Sequence, residues 1–262
     1  MNDAPVLFSV MDGVARITLN RPEAGNAVDL PMARALVEAA IRCQTDEGIR
    51  CVVLTGAGRL FCAGGDIGLF QSAGDHVDAL LSDLAGTLHM ALTRFAHMAK
   101  PLLVLVNGPA AGAGLSLAVG GDVVLCARSA HFTAAYGTLG LTPDGGMSWL
   151  LPRLVGLRKA QEIILTNRRI KAEEAEAIGM VTRLVDDEAL AEEGDRLAAQ
   201  LAGAAVGTIG AARALLRQSL ESSFETQLER EVASITRAGA TPECREGLAA
   251  YFAKRSPNFK GV

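Results

Sequence analysis

The chain has 262 residues, of which half are apolar and 21% are charged, and its formal net charge is −4. A chain of this length can bury a substantial core in one large domain or two modest ones. Because acidic and basic residues are interspersed, no broad basic face is available for nucleic acid or an anionic membrane. No apolar run approaches the ~18 residues of a membrane span, and the first residues lack the basic and apolar regions of a secretory signal. We therefore expect a cytoplasmic protein.

The cysteine and histidine residues predict neither disulfides nor a metal site. The five cysteines are scattered, odd in number and free of any CxxC pairing, which predicts a reducing compartment without a zinc cluster. They are Cys43, Cys51, Cys62, Cys126 and Cys244. The four histidines, His76, His89, His97 and His131, share no ligand spacing and are interpreted as packing or surface residues.

The first half of the chain predicts short strands that alternate with helices. Strands are predicted at residues 6–11, 14–20, 51–55, 102–106 and 123–127, with a hairpin turn at Asp12-Gly13. A helix capped near Asp29 is expected to run to Ile41. From Asp75 to Ala99 apolar residues recur at spacings of three and four, as in an amphipathic helix. This alternation is typical of α/β layering.

Beyond Leu150 the composition shifts to residues that favour helices. Helices are predicted at residues 160–165, 172–178, 188–201, 208–220, 224–237 and 242–254, with a short strand at 181–185. We place a boundary near residue 200, between a sheet-based core of residues 1–200 and a helical segment of residues 201–262. That segment is too small to bury its own apolar faces, so it should pack on the core or on another subunit.

Two segments of small residues each follow a predicted strand. One spans residues 56–67 and contains Gly64-Gly65; the other spans residues 107–114 and ends in Gly112-Ala113-Gly114 at the start of a helix. Small residues at a helix start allow a ligand to approach backbone N–H groups, whose partial positive charge favours developing negative charge. The alternative is a glycine-rich crossover that only lets a helix pack close to a sheet.

Six short motifs are spread along the chain. They lie at residues 17–22 (ITLNRP), 61–66 (FCAGGD), 106–114 (VNGPAAGAG), 121–122 (GD), 139–146 (LGLTPDGG) and 252–259 (FAKRSPNF). Each motif is weak alone, but the set in this order is highly specific. Together they resemble the crotonase superfamily, the enoyl-CoA hydratase and isomerase family, along almost the whole chain.

The resemblance implies an α/β fold, a spiral of repeated ββα units with a helical C-terminal trimerisation segment, in homotrimers or hexamers. It implies an acyl-CoA substrate, with coenzyme A as part of the substrate and no separate cofactor or metal. It also implies that the N–H groups of Ala63 and Ala113 form an oxyanion hole, in which two preorganised donors stabilise a thioester enolate. The residues expected to contact the acyl group or coenzyme A are Ala27, Cys62, Gly64, Gly65, Asp66, Ile67, Phe70, Gly112, Tyr136 and, supplied by a neighbouring subunit, Lys254.

Acidic residues decide which reaction such a site performs. Family hydratases use two glutamates, and aligning the motifs places Ser116 and Tyr136 at those positions. Neither is a useful proton carrier near neutral pH, because a hydroxyl needs an adjacent base and tyrosine titrates near ~10. Asp144 is the acid that remains. By itself it is explained as a cap of the helix through Trp149, whereas the resemblance implies the proton carrier of single-acid isomerases.

Within the family, the match is closest to the isomerases that act on the ring epoxide of phenylacetyl-CoA in bacterial phenylacetate breakdown. We therefore expect an acyl-CoA isomerase in which Asp144 abstracts an α-proton and the oxyanion hole holds the enolate, for ring-epoxide or double-bond isomerisation. One alternative is an enoyl-CoA hydratase that adds water to a 2-enoyl-CoA with a nonstandard acid. Another is a non-catalytic scaffold that binds acyl-CoA. Nucleic acid and membranes are not expected as partners.

Overall fold

The computed structural model describes residues 4–262, which form nine strands and eleven helices. The strands are β1 (Val6–Met11), β2 (Val14–Leu19), β3 (Cys51–Gly56), β4 (Leu102–Val106), β5 (Ala110–Ala111), β6 (Val123–Ala127), β7 (His131–Thr133), β8 (Ile170–Lys171) and β9 (Arg183–Val185). The helices are α1 (Leu30–Thr45), α2 (Ile67–Ala73), α3 (Val77–His97), α4 (Ala113–Val119), α5 (Met147–Val155), α6 (Leu157–Thr166), α7 (Ala172–Ala177), α8 (Leu190–Gly203), α9 (Val206–Ser219), α10 (Phe224–Gly239) and α11 (Pro242–Phe252).

A six-stranded sheet forms the centre of the fold. Its strand order is β1-β2-β3-β4-β6-β9, and all neighbouring pairs except the β1–β2 hairpin are parallel. The hairpin turns at Asp12 and Gly13, whose φ values of +52° and +82° are those of the left-handed turn that the sequence predicts. Because parallel strands end at the same edge of a sheet, the segments after β3 and β4 emerge side by side.

Helices cover this sheet and complete the core. Helix α1 is capped by Asp29, whose carboxylate accepts a hydrogen bond from the Met32 N–H at 2.8 Å, as the sequence predicts. Helices α1 and α3 pack along each other, and α8 packs on β3, β4 and β6. The side chains of Ile17, Leu36 and Leu103 are fully buried between these layers. Helices therefore pack on the strands of the sheet, and the segments after β3 and β4 continue from its carboxyl edge.

A second, three-stranded sheet connects the large sheet to α4. Strand β5 is parallel to β7, and β7 is antiparallel to β8. These strands have only two or three residues each, which is too short for a periodic pattern, so the sequence did not predict them. Strand β5 follows β4 closely and leads directly into α4, so α4 begins at the carboxyl edge of the large sheet.

The C-terminal helices α9, α10 and α11 expose much of their apolar surface. Helix α10 has no buried residue, and its Ile235 side chain is 73% exposed. Arg213 of α9 donates a hydrogen bond to Phe95 O at 3.1 Å, which ties α9 to the end of α3. The predicted boundary at residue 200 lies inside α8, which ends at Gly203. No single helix within residues 4–262 is long and apolar enough to cross a membrane; α8 and α9 pass that test only together, across a bend of 101°.

All five cysteines are free thiols, and four of them are buried. Desolvation raises the pKa of each buried thiol to about 12. A thiol with so high a pKa stays protonated at neutral pH, and the thiolate is the reactive form. The buried cysteines are therefore expected to be inert in the native protein.

We expect Ellman's reagent to modify at most one cysteine of the native protein at about pH 8, because only Cys244 is partly exposed. All five should react after unfolding in guanidinium. Rapid modification of two or more thiols before unfolding would contradict the burial of these side chains.

Candidate active site

A cavity of about 430 Å³ opens beside the start of α4. Apolar side chains of α3, among them Leu81, Leu84 and Leu88, form much of one wall. Of the residues predicted for the site, the cavity is lined by Ala63, Gly64, Gly65, Ile67, Phe70, Gly112, Ala113, Tyr136 and Asp144. The structure thus brings the two small-residue segments and the predicted proton carrier together around one apolar cavity.

The start of α4 and the segment that follows β3 touch backbone to backbone. The Ala111 N–H donates to Cys62 O at 2.9 Å. Gly114 leaves no room for a side chain, since a Cβ there would lie 2.2 Å from Cys62 O. Gly64 is constrained in the same way, since a Cβ there would lie 2.9 Å from Ala111 O. Glycine at these two positions permits the close approach of the two segments.

Ala113 and Gly65 each present to this cavity an N–H group that has no hydrogen-bond partner within residues 4–262. Ala113 is the first residue of α4, so its N–H points out of the helix end. Gly65 pairs with Val28, which bonds to Gly64 O and to the Asp66 N–H. Because N–H groups alternate in direction along an extended chain, the Gly65 N–H points away from Val28.

The prediction that the Ala63 N–H is one of the two donors to the ligand is wrong. Its N–H donates to Gly25 O at 2.9 Å, so it is not available to a ligand. Gly65, two residues later, presents a free N–H in the same segment. The sequence locates the segment but not which of its N–H groups the fold consumes internally, because that depends on the pairing with the loop at Gly25 and Val28.

Asp144 lies in the turn before α5 and is held by two other side chains. Tyr136 donates its hydroxyl hydrogen to Asp144 Oδ1 at 2.6 Å, and Ser116 Oγ donates to the main-chain oxygen of Asp144 at 3.0 Å. The N-cap of α5 is Gly146, without a side-chain hydrogen bond, so the capping role considered for Asp144 is wrong. The two residues at the hydratase glutamate positions therefore both orient Asp144.

Tyr136 is a permanent donor in this arrangement. Burial, and after it the charge of Asp144, raises the pKa of the Tyr136 hydroxyl above its usual range. The hydroxyl therefore keeps its proton at neutral pH. Its short bond to the carboxylate is typical of a charge-assisted hydrogen bond, which is stronger than one between neutral groups.

His89 also contacts this turn and was not predicted as a site residue. Its Nε2 accepts a hydrogen bond from the Gly145 N–H at 3.0 Å and lies 3.9 Å from Asp144 Oδ2. The two partners are 56 residues apart in the chain, so no local spacing rule connects them. The one signal in the sequence is the position of His89 next to Leu88, on a helix whose apolar face lines the cavity.

Four predicted contact residues do not line the cavity of this chain. Ala27 O and the Asp66 carboxylate are both bonded to Arg21, at 2.7 and 3.0 Å, and Asp66 also caps α2. Cys62 is fully buried beneath the cavity wall. Lys254 is exposed just after α11. Within residues 4–262, no three His, Cys, Asp or Glu side chains are grouped so that they could hold a metal ion.

Comparisons with known proteins show what this chain is similar to. Residues 9–262 match the family model described as enoyl-CoA hydratase/isomerase. The chain is 39% identical to 1,2-epoxyphenylacetyl-CoA isomerase of Escherichia coli K12 and 35% identical to a protein of Rhodobacter capsulatus named as a probable enoyl-CoA hydratase, with 98% of each chain covered in both cases. The crystal structure of an enoyl-CoA hydratase from Polaromonas sp. JS666 superimposes with a TM-score of 0.92 at 31% identity, over 97% of this chain and 98% of that one. This likeness confirms the predicted fold class.

We expect Gly114→Ala to destabilise the protein by about 1–3 kcal/mol, because the new Cβ overlaps Cys62 O and forces backbone to move. Urea unfolding measures this change. Gly86→Ala is the matched control: Gly86 lies inside α3 with nothing within 4 Å of a Cβ, so alanine should stabilise by about 0.5–1 kcal/mol. Equal stability of the two variants would show that the close approach is not a constraint.

Proposed function

The chain belongs to the enoyl-CoA hydratase/isomerase family, and from this premise we propose that it is an acyl-CoA isomerase in which Asp144 is the sole acid and base. The observation that carries the proposal is a carboxylate in the cavity wall that is held by Ser116 and Tyr136, the residues at the hydratase glutamate positions. The other carboxylate that lines the cavity is Asp78, which is exposed. It lies about 16 Å along the axis of α3 from His89, the residue of that helix that contacts the Asp144 turn.

The proposed reaction moves a proton between two carbons of the acyl group. Asp144 removes the α-proton of a 3-enoyl thioester, and the C–H electron pair enters a dienolate whose negative charge lies on the thioester oxygen. The N–H groups of Ala113 and Gly65 donate to that oxygen where the charge develops, and one such donor is worth about 3 kcal/mol in other enzymes. Asp144 then returns the proton to the γ-carbon. The product is a 2-enoyl thioester, the carboxylate is restored and no water is consumed.

A ring epoxide is the second acyl class within the proposal. The Escherichia coli relative is named for 1,2-epoxyphenylacetyl-CoA. In such a compound the α-carbon joins the thioester to a saturated ring carbon of the epoxide. The same proton removal therefore gives an enolate directly next to the epoxide C–O bond. The apolar wall at Leu81, Leu84 and Leu88 suits a ring as well as an alkyl chain.

Tyr136 supports the proposed chemistry by fixing the orientation of the carboxylate. Its hydroxyl donates a hydrogen bond to Asp144 Oδ1 at 2.6 Å and keeps its proton at neutral pH. Asp144 Oδ2 accepts no hydrogen bond from any of the residues 4–262 that the structure describes. We therefore assign the proton transfer to Oδ2.

The alternative of a hydratase is favoured by the relative from Rhodobacter capsulatus. Water addition needs a group that activates water and a group that protonates the α-carbon. Ser116 already donates its hydroxyl hydrogen to Asp144 O, and the raised pKa of Tyr136 makes its hydroxyl a poor proton donor to carbon. These contacts favour isomerisation over hydration.

We further propose that three copies, or two sets of three, associate through α9, α10 and α11. Large apolar side chains are exposed along these helices, and a monomer rarely leaves so large an apolar surface uncovered. They include Leu216, Phe224, Val232, Ile235, Leu248, Tyr251 and Phe252. Coenzyme A would then bind along residues 63–67, with Lys254 of the partner subunit near its phosphates. The unpaired thiols support a reducing compartment such as the cytoplasm.

We expect Asp144→Asn to lower the rate of 3-enoyl-CoA to 2-enoyl-CoA isomerisation by about 10³-fold, because the amide cannot accept the proton. The absorbance of the conjugated product reports the rate. Asp83→Asn, which changes an exposed carboxylate of α3, should leave it unchanged. Comparable rates for wild type and Asp144→Asn would remove Asp144 from the mechanism. Addition of water to a 2-enoyl-CoA as fast as the isomerisation would support a hydratase. Binding of coenzyme A without turnover of any acyl-CoA would support a scaffold.

We expect light scattering to give a mass three or six times the 27.3 kDa of one chain. Ile235→Glu places a charge on the exposed face of α10 and should lower that mass, because desolvating an unpaired carboxylate is costly. Met11→Glu is the control, since Met11 is 75% exposed on the β1–β2 hairpin, away from these helices. A monomeric wild type would exclude the proposed assembly.

A further inference from the structure

We propose that His89 is a positioning residue for Asp144, acting through the backbone of the turn that carries the carboxylate. The inference rests on the proposed role of Asp144 as proton carrier. His89 Nε2 accepts the Gly145 N–H at 3.0 Å. The Asp144 C=O and the Gly145 N–H belong to the same peptide unit, so His89 binds the backbone immediately next to the Asp144 Cα.

This peptide unit is held at both of its polar atoms. Ser116 Oγ, from α4, donates to Asp144 O at 3.0 Å, and His89 Nε2, from α3, accepts from Gly145 N. Because a peptide unit is planar and stiff, two bonds at its two polar atoms fix its orientation, and this in turn fixes where the Asp144 side chain leaves the backbone. The Tyr136 hydroxyl then fixes the carboxylate itself.

The contact also determines which nitrogen of His89 carries the proton. A nitrogen that accepts a hydrogen bond uses its lone pair, so Nε2 is unprotonated and the hydrogen of the neutral ring is on Nδ1. In this tautomer Nε2 cannot donate to Asp144 Oδ2, and the 3.9 Å between them is longer than a hydrogen bond. His89 therefore holds the turn without occupying the oxygen to which we assign proton transfer.

The turn cannot relax easily in another direction. Gly145 has a φ of +62°, and a Cβ there would lie 2.7 Å from Ser116 Cβ. The turn therefore packs tightly against Ser116 of α4, and His89 of α3 is bonded to it. Leu84 and Leu88 of α3 line the acyl cavity. A shift of α3 relative to the turn would thus change the distance between the bound acyl group and the carboxylate.

A purely structural role of His89 predicts a different result from a positioning role. The His89 side chain is 48% exposed, so water can replace it at the Gly145 N–H and the fold loses little on its removal. A misplaced carboxylate, in contrast, lowers turnover, since small displacements of a reacting group are costly to rate. Turnover should therefore fall while substrate affinity and stability stay nearly unchanged.

The test compares His89→Leu, which removes the acceptor, with His89→Gln, whose amide oxygen can take the place of Nε2. For 3-enoyl-CoA isomerisation we expect His89→Leu to lower kcat about ten-fold, with KM and Tm close to wild type, and His89→Gln to stay within about three-fold of wild-type kcat. His97→Leu is the matched control, because His97 is an exposed histidine of the same helix whose ring bonds to Thr93 O, within α3 itself. It should leave all three quantities unchanged.

A double variant separates this inference from the proposed function. If His89 acts through Asp144, His89→Leu should have no further effect on kcat in an Asp144→Asn background. The positioning role would be overturned by an unchanged kcat in His89→Leu, or by an equal loss of kcat in His89→Gln. It would also be overturned if the loss of kcat were accompanied by a matching fall in Tm. An Asp144→Asn enzyme as fast as wild type would overturn the proposed function itself, whereas an inactive Asp144→Asn with a normal His89→Leu would overturn only this inference.

Discussion

The contact between Gly114 and Cys62 O is the constraint on which the site depends. In the parallel sheet β3 and β4 end at the same edge. Only the absence of a Cβ at Gly114 lets α4 begin against the backbone of the segment that follows β3. As a result the N–H groups of Gly65 and Ala113 border one cavity. Backbone donors placed by a rigid sheet need no rearrangement when negative charge appears, which is the condition under which such donors are most effective.

The sequence predicted the fold class and the elements that have strong local signals. The hairpin at Asp12-Gly13 and the helices α1 and α3 have strong local signals, in turn chemistry, capping and apolar period, and they were found where predicted. Strands β5, β7 and β8 have too few residues for any period. The motifs located the segment around Ala63 but not the free N–H at Gly65, because Gly25 and Val28 decide which N–H groups are used internally.

Asp144 shows the same division between local and long-range information. Its type and position were found from the motif, but the groups that hold it come from three separate elements of the fold. Tyr136 and Ser116 were aligned only as substitutes for absent acids, whereas in the structure both bond to Asp144. The only sequence signal for His89 was its place next to Leu88, since its partner is the Gly145 backbone and any residue type except proline offers the same N–H. Contacts to the main chain leave no trace in the identity of the partner residue.

The bond between Tyr136 and Asp144 Oδ1 also has a stereochemical consequence. A carboxylate with one oxygen permanently occupied has a single atom with which to take up and release a proton. In the proposed isomerisation Oδ2 stays on one side of the planar dienolate, because the backbone donors hold the thioester oxygen and with it the plane of the dienolate. The proton therefore leaves and returns on the same face of the substrate. The proposed reaction is thus a suprafacial proton transfer, and Tyr136 determines which carboxylate oxygen carries the proton.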